Sequence, residues 1–286
     1  MGISISYLWY LSKQGMIAPR VRLLDIGSSY LYNLTAKDVL AFTVAHGSQP
    51  VSEKIAFDLA QRSGHVAGKD MLYLSELLEH TDIEYVSYDV CPGHKTQLFD
   101  LNREELSEGA KGSFDLVLNF GTSEHVINQL NVFKTIHDAL KIGGVAFHQS
   151  PSIGWVDHGY FAYHPRFYRD LQIANGYEEI DIWMSRTSQC AKPDIDFRDE
   201  ERPLERSSQR PEEMPDILPC CNLNAVYRKV ADTPFRVSLE LSTAHSGLSS
   251  EIRAIHVEDP VVHQARAADL MASLMKRGAA RLGFGR

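Results

Sequence analysis

Acidic residues stand at the ends of two apolar runs in this chain, and the chemistry they permit is the recognition of hydroxyl groups. The first run, VRLLDIGSS (21–29), stops at Asp25-Ile26-Gly27, and the second, IEYVSYD (83–89), stops at Asp89. An apolar run ending this way reads as a buried parallel strand that opens into a ligand loop. Gly27 has no Cβ, so backbone can approach a bound group closely there. Doubly wound sheets hold their ligands in the crevice at the carboxyl ends of the strands, where Asp25 and Asp89 fall. A carboxylate at position 89 could accept from two ribose hydroxyls.

Two further segments carry groups that could move a proton. The run FDLVLNF (114–120) leads into GTSEH, so His125 follows Ser123-Glu124 in what reads as the first turn of a helix. The segment PSIGWVDHGYFAYHP (151–165) is too broken for a regular element and is rich in His and aromatic residues. It leaves the carboxyl end of a strand, a place where loops commonly carry function. Histidine titrates in the range of a base near neutral pH. His158 is the first candidate for that role and His125 the second. Trp155, Tyr160, Tyr163 and His164 are the candidates for a substrate wall. His148 lies inside a strand and reads as a hydrogen-bonded core residue. His148, Asp157, His158 and His164 are of ligating types, but their spacing matches no metal motif such as H-E-x-x-H, and no metal is expected.

The elements that must position these residues alternate. A helix over Ile3 to Met16 ends near Gly15 and precedes the first strand. Thr35 can cap a helix over Ala36 to Ala45, and Ser52 one over Glu53 to Arg62. MLYLSELLEH (71–80) has helical spacing and reads as the crossover into the strand ending at Asp89. A short strand over Thr96 to Phe99 ends at Asp100, and Arg103 to Glu108 reads as a charged helical turn. Strand Phe114 to Phe120 is followed by a helix over His125 to Lys141, capped by Ser123 and stopped by Gly143-Gly144. Strand Val145 to Gln149, helix Arg166 to Ala174 and strand Glu179 to Met184 complete the alternation. It implies a parallel sheet with right-handed crossovers. Pro193 to Pro219 is charged and Pro-rich and reads as a loop. Asn222 to Lys229 and Phe235 to Leu241 read as an antiparallel strand pair, and Pro260 to Leu282 as an Ala-rich helix.

In order along the chain, LLDIGSS (23–29), YVSYD (85–89), FDLN (99–102), FDLVLNFGTSEHV (114–126) and LKIGGVAFHQSP (140–151) resemble the class I S-adenosylmethionine-dependent methyltransferases. The resemblance spans roughly the first half of the chain. It departs from the family in the first loop, usually D/E-x-G-x-G-x-G, of which Gly27 alone is kept. It departs again in the distance from Gly27 to Asp89, which leaves 30–82 as an insert, read equally as a lid or as packing. The resemblance implies that Gly27 and Ser28 line the methionine end of S-adenosylmethionine and that Asp25 holds its ammonium, directly or through water. It further implies that Asp89 grips the ribose, that Asp100 accepts from the adenine amino group beside the Leu101 backbone, and that Asn119 and Phe120 sit near the methionine moiety. The fold it implies is a doubly wound, mostly parallel Rossmann-like α/β sheet with helices on both faces, a helical insert after the first strand and a C-terminal extension. Residues 1–190 would form the cofactor-binding core, and 191–286 would complete the same domain.

Composition narrows the partners. With 286 residues and a net charge of −8, the chain is long enough for a large core and lacks the basic footprint of a nucleic-acid binder. The four cysteines form no C-x-x-C pair, which suits a reducing, cytoplasmic setting. No apolar run reaches membrane-span length. The expected activity is therefore methyl transfer to a small molecule by in-line displacement, with homodimerisation left open. Two other readings compete. One is a non-enzymatic S-adenosylmethionine-binding or scaffold protein, favoured by the missing loop glycines. The other is a nicotinamide-dependent dehydrogenase, disfavoured by the absence of G-x-G-x-x-G.

Overall fold

The computed structural model describes residues 2–18, 20–63, 71–155, 158–186, 220–240 and 248–256. The expected loop over Pro193 to Pro219 and the expected helix over Pro260 to Leu282 lie outside them.

Among the described residues, nine strands and seven α-helices follow one another as β1 (Gly2–Ser4), α1 (Ile5–Lys13), β2 (Arg22–Ile26), β3 (Tyr30–Tyr32), α2 (Ala36–His46), α3 (Glu53–Arg62), α4 (Leu74–Leu78), β4 (Glu84–Asp89), β5 (Thr96–Leu98), β6 (Phe114–Phe120), α5 (Gln129–Ala139), β7 (Leu140–Pro151), α6 (Pro165–Asn175), β8 (Glu178–Arg186), β9 (Cys221–Arg228) and α7 (Ser250–His256). Seven strands form one sheet in the order β5-β4-β2-β6-β7-β9-β8. The pairs from β5 across to β7 are parallel, and β9 runs antiparallel to both β7 and β8. The expected doubly wound α/β fold is the one observed.

Burial on both faces explains the apolar runs. In β2, Leu23 and Leu24 are each fully buried, in the clusters on opposite sides of the sheet. One cluster holds Phe133 of α5 and Tyr168 of α6; the other holds Leu8 of α1, Phe42 of α2 and Leu59 of α3. The helices of the insert 30–82 thus build one face of the core. The caps behave as read: Thr35 and Asp38 form a reciprocal capping box, and the Ser52 hydroxyl accepts from the Ile55 amide.

Several elements differ from the sequence reading. The opening segment begins with β1, which pairs in parallel with β3, before the helix starts. The helix expected over Met71 to His80 shrinks to α4, because Leu31 N–H donates to Leu72 O and Leu74 N–H to Ser29 O, which ties this stretch to the first loop. Arg103 to Glu108 forms no helix. The strand expected from Val145 starts at Leu140 and is interrupted by a bulge with Gly143 at φ +84°. Residues 232–240 form no strand. Both edges of β9 are already taken by β7 and β8, so no edge is left to pair with them.

Candidate active site

Chain order reverses between β2 and β6: from β2 the chain builds outward through β4 and β5, then returns to β6 on the other side. Such a switch point opens a crevice at the carboxyl ends of the strands. Two loops meet there. The Thr122 hydroxyl, after β6, donates to the Ile26 carbonyl, next to Gly27, at 2.5 Å.

On the β2 side, Gly27 adopts φ +97°, a conformation a side chain would strain. Asp25 is fully buried, and its carboxylate accepts from Ser29 N–H at 3.0 Å, the Ser29 hydroxyl at 3.1 Å and the Tyr85 hydroxyl at 2.8 Å. Burial pushes Asp25 up to about 7 against the pull of those donors. Enclosed in this way, the Asp25 carboxylate holds the loop from beneath. Ser28 is also buried; its N–H donates to Asp89 Oδ2 at 2.8 Å, and its hydroxyl lies 2.7 Å from that of Thr96. Asp89 is half-buried at the end of β4, and its Oδ1 accepts from Cys91 N–H at 2.9 Å. A carboxylate has about four acceptor sites, so Asp89 keeps capacity for hydroxyl donors. Asp100 follows β5, half-exposed, with Oδ1 accepting from Asn102 N–H at 2.8 Å, and Leu101 beside it is buried.

On the β6 side, Asn119 is fully buried. Its Oδ1 accepts from Ser123 N–H at 3.2 Å and its Nδ2 donates to the Ser123 hydroxyl at 3.0 Å. These bonds tie down a single 3-10 turn, Ser123–His125, and helix α5 starts only at Gln129, capped by Asn128. Asn119 therefore braces this turn, and Phe120 lines the cavity beyond it. The turn buries Glu124 to 1 % exposure, with neither carboxylate oxygen hydrogen-bonded among the described residues. Burial pushes Glu124 up to about 7.

The loop after β7 folds back over this turn. Tyr160 N–H and Phe161 N–H donate to the Glu124 carbonyl at 2.8 and 3.2 Å. A Cβ on Gly159 would lie 3.1 Å from Glu124 Cγ, so only glycine passes there without displacing it. The approach brings His158 Nε2 to 3.7 Å from Glu124 Oε1, while His125 Nε2 stands 4.0 Å from the same atom. Burial lowers the pKa of both imidazoles. The Trp155 ring centroid lies 4.5 Å from that of His158, and the Trp155 indole donates to Cys221 O at 3.1 Å. Together these groups wall a cavity of about 240 Å³ that Tyr32, Gly121 and Gln149 complete.

The structure thus brings together His125, His158, Trp155 and Phe120 and leaves other candidates outside the cavity. Tyr160 is 69 % exposed and His164 is exposed at the start of α6; neither lines the cavity. Tyr163 is buried, its hydroxyl donating to Gln129 Oε1 at 2.5 Å, which makes it a brace for the Ser123 turn. The fully buried His148 fits its reading as a core residue, with burial lowering its pKa to about 3. Glu124 is the residue the sequence reading passed over, since a carboxylate in a first helical turn is ordinarily solvated. Of the insert 30–82, Tyr32 reaches the cavity, while its helices serve as packing.

Residues 17–191 match the family described as a methyltransferase domain. No curated protein matches the chain. Solved structures of similar fold include a SAM-dependent methyltransferase from Archaeoglobus fulgidus, at 11 % identity and TM-score 0.42, covering 79 % of this chain and 94 % of that one. The N-methyltransferase NodS from Bradyrhizobium japonicum, solved with S-adenosyl-L-homocysteine, has 13 % identity and TM-score 0.42 over 79 % of this chain and 86 % of its own. The 1,6-didemethyltoxoflavin-N1-methyltransferase of Burkholderia thailandensis has 11 % identity and TM-score 0.41 over 79 % and 77 %.

Proposed function

This chain belongs to the methyltransferase domain family, and from that premise we propose that it transfers the methyl group of S-adenosylmethionine to a small molecule held in the cavity around Glu124. The observation that carries the reading is the bond from Thr122 to Ile26, which ties the turn bearing the cavity residues Glu124 and His125 to the Gly27 loop. The donor set on the β2 side fits the cofactor. Asp89 retains acceptor sites for two hydroxyls, Asp100 is an accessible acceptor for an amino group beside the Leu101 backbone, and Gly27 holds a φ of +97° with no Cβ to obstruct a ligand.

When bound, S-adenosylmethionine supplies a methyl carbon on a sulfonium, ready for in-line displacement. The work of the chain is then alignment and exclusion of water, which can contribute several orders of magnitude. Gly27 and Ser28 line the methionine end, with Asp25 and Asn119 positioning the loops behind it. Trp155, Tyr32 and Phe120 enclose an apolar or aromatic part of the acceptor. His158, whose pKa burial lowers, accepts a proton from a hydroxyl or ammonium acceptor, with His125 beside it. The small cavity and the net charge of −8 support a small molecule over a nucleic acid. No described helix is long and apolar enough to cross a membrane. The free thiol of Cys91 supports a cytoplasmic setting.

Titration calorimetry with S-adenosylmethionine and S-adenosylhomocysteine tests the first half of the reading: both should bind, and NAD should not. Absence of binding by either sulfur compound overturns it. Mass spectrometry of a small-molecule extract incubated with labelled S-adenosylmethionine tests the second half, a methylated small molecule being the expected product.

A further inference from the structure

We propose that Glu124, His125 and His158 form a site for one divalent transition-metal ion at the wall of the acceptor cavity. One ligating atom from each of the three residues lies within 4.8 Å of those of the other two. The carboxylate is at 1 % exposure and neither oxygen has a hydrogen-bond partner among the described residues, the arrangement of an anion enclosed to meet a cation. The residues come from two segments, the turn after β6 and the loop after β7, which explains why linear spacing gave no metal motif. Those segments are fastened to each other at this point, through the Glu124 carbonyl and the close passage of Gly159.

Ligand type selects the ion. Two imidazole nitrogens and one carboxylate oxygen suit manganese, iron(II), cobalt, nickel or zinc, whereas magnesium and calcium prefer an all-oxygen shell. Metal–ligand bonds of about 2.0–2.2 Å set neighbouring ligand atoms roughly 3–3.5 Å apart. The separations of 3.7 and 4.0 Å from Glu124 Oε1 therefore close by small rotations of imidazoles that are 38 % and 43 % exposed. Three protein ligands leave coordination positions open toward the cavity, where an oxygen or nitrogen of the acceptor would complete the shell. The use of the ion in methyl transfer rests on the function proposed above, the ion then polarising the acceptor in place of His158 as its base; its binding does not.

The test uses the tag-free full chain, stripped with chelator and titrated with cobalt(II), zinc(II) or magnesium(II) in the absence of cofactor and acceptor. Equilibrium dialysis should find one cobalt or zinc per chain and no tight magnesium, and the cobalt form should show visible ligand-field bands. Glu124→Gln, which keeps the side-chain volume, and the double variant His125→Ala/His158→Ala should each lower affinity at least about 10–100-fold, the loss already seen for groups that merely support a ligand. Circular dichroism identifies variants that have kept their fold. A wild type that binds no better than the double variant overturns the proposal. Titration of S-adenosylmethionine on the same samples separates that outcome from failure of the methyltransferase reading, because the cofactor residues lie on the β2 side.

Discussion

Asp25 and Glu124 sit at the ends of neighbouring strands, both essentially without solvent exposure and both pushed up to about 7 by burial. Their surroundings are opposite. Asp25 has three donors from the chain, two of them from the loop it supports. Glu124 has none among the described residues and faces a cavity. A buried acid with its partners built in is part of the scaffold, and its cost is offset locally. A buried acid without hydrogen-bond donors among the described residues costs stability unless the imidazoles beside it, or a cation held with them, offset its charge. The same contrast separates the cofactor half of the crevice, where Ser28 and Asp89 bond each other, from the acceptor half, where polar groups wait.

The largest effect should come from the acceptor half. His158→Ala should lower turnover by about 10²–10⁴-fold, the reach of general acid–base catalysis, and Glu124→Gln, which removes a ligand of the proposed ion, should lower it by about 10–100-fold. Thermal unfolding should at the same time show Glu124→Gln as stable as the wild type or more so at pH 8, because a buried unpaired charge has been removed. A marked loss of melting temperature with unchanged turnover would make Glu124 a structural residue and erase the contrast with Asp25.

Asp25→Ala should behave in the reverse way, losing roughly 3 kcal/mol of stability because three buried donors are left without an acceptor. Its pH dependence has a definite sign. The folded carboxyl titrates at about 7 and the unfolded one at the usual 3.8, so the folded state holds the proton more tightly. The stability linked to that proton is fully present below 3.8 and is lost as the pH rises through about 7. Denaturant midpoints of wild type and Asp25→Ala should therefore draw closer between pH 4 and pH 8, and a gap that widens over that interval would show that the donors outweigh burial.

Asp89→Ala should weaken S-adenosylmethionine binding by ~1–3 kcal/mol, the range for hydrogen bonds to a charged group. Part of that loss would come from freeing the Ser28 and Cys91 amides, which Asp89 now holds. Calorimetry showing unchanged affinity in the folded variant would remove Asp89 from the cofactor site.

The parts of the molecule legible in the sequence are those fixed locally. Strands β2 and β6 are buried on both faces and read as apolar runs, and α3 carries its own cap in Ser52. What escaped depends on contacts distant in sequence. Ser123 looked like the cap of α5, but Asn119 takes its N–H and hydroxyl, and the helix is delayed to Asn128. Insertion of β9 between β7 and β8 joins segments dozens of residues apart and takes both edges of β9, with which residues 232–240 were expected to pair. Glu124 was illegible for the same reason. Its burial is created by a loop more than thirty residues downstream, and no local pattern marks an acid that another segment will cover.

The smallest effect expected is at Tyr163, which the sequence reading set on the substrate wall and the structure sets behind it. Its hydroxyl donates to Gln129 Oε1, and Gln129 Nε2 in turn donates to the Ser123 carbonyl at 2.7 Å, so the phenol supports the turn that carries Glu124 at one remove. Tyr163→Phe keeps the ring against Phe133 and Phe167 and removes only the hydroxyl. The loss should be about 0.5–1.5 kcal/mol of stability, the usual net worth of one such bond. Acceptor KM should hold, because the ring lies outside the cavity. A fall in kcat of a few-fold with unchanged KM would report loosening of the Ser123 turn. A raised KM with unchanged stability would instead return Tyr163 to the substrate wall and redraw the boundary between the braced half of the crevice and the half that awaits a ligand.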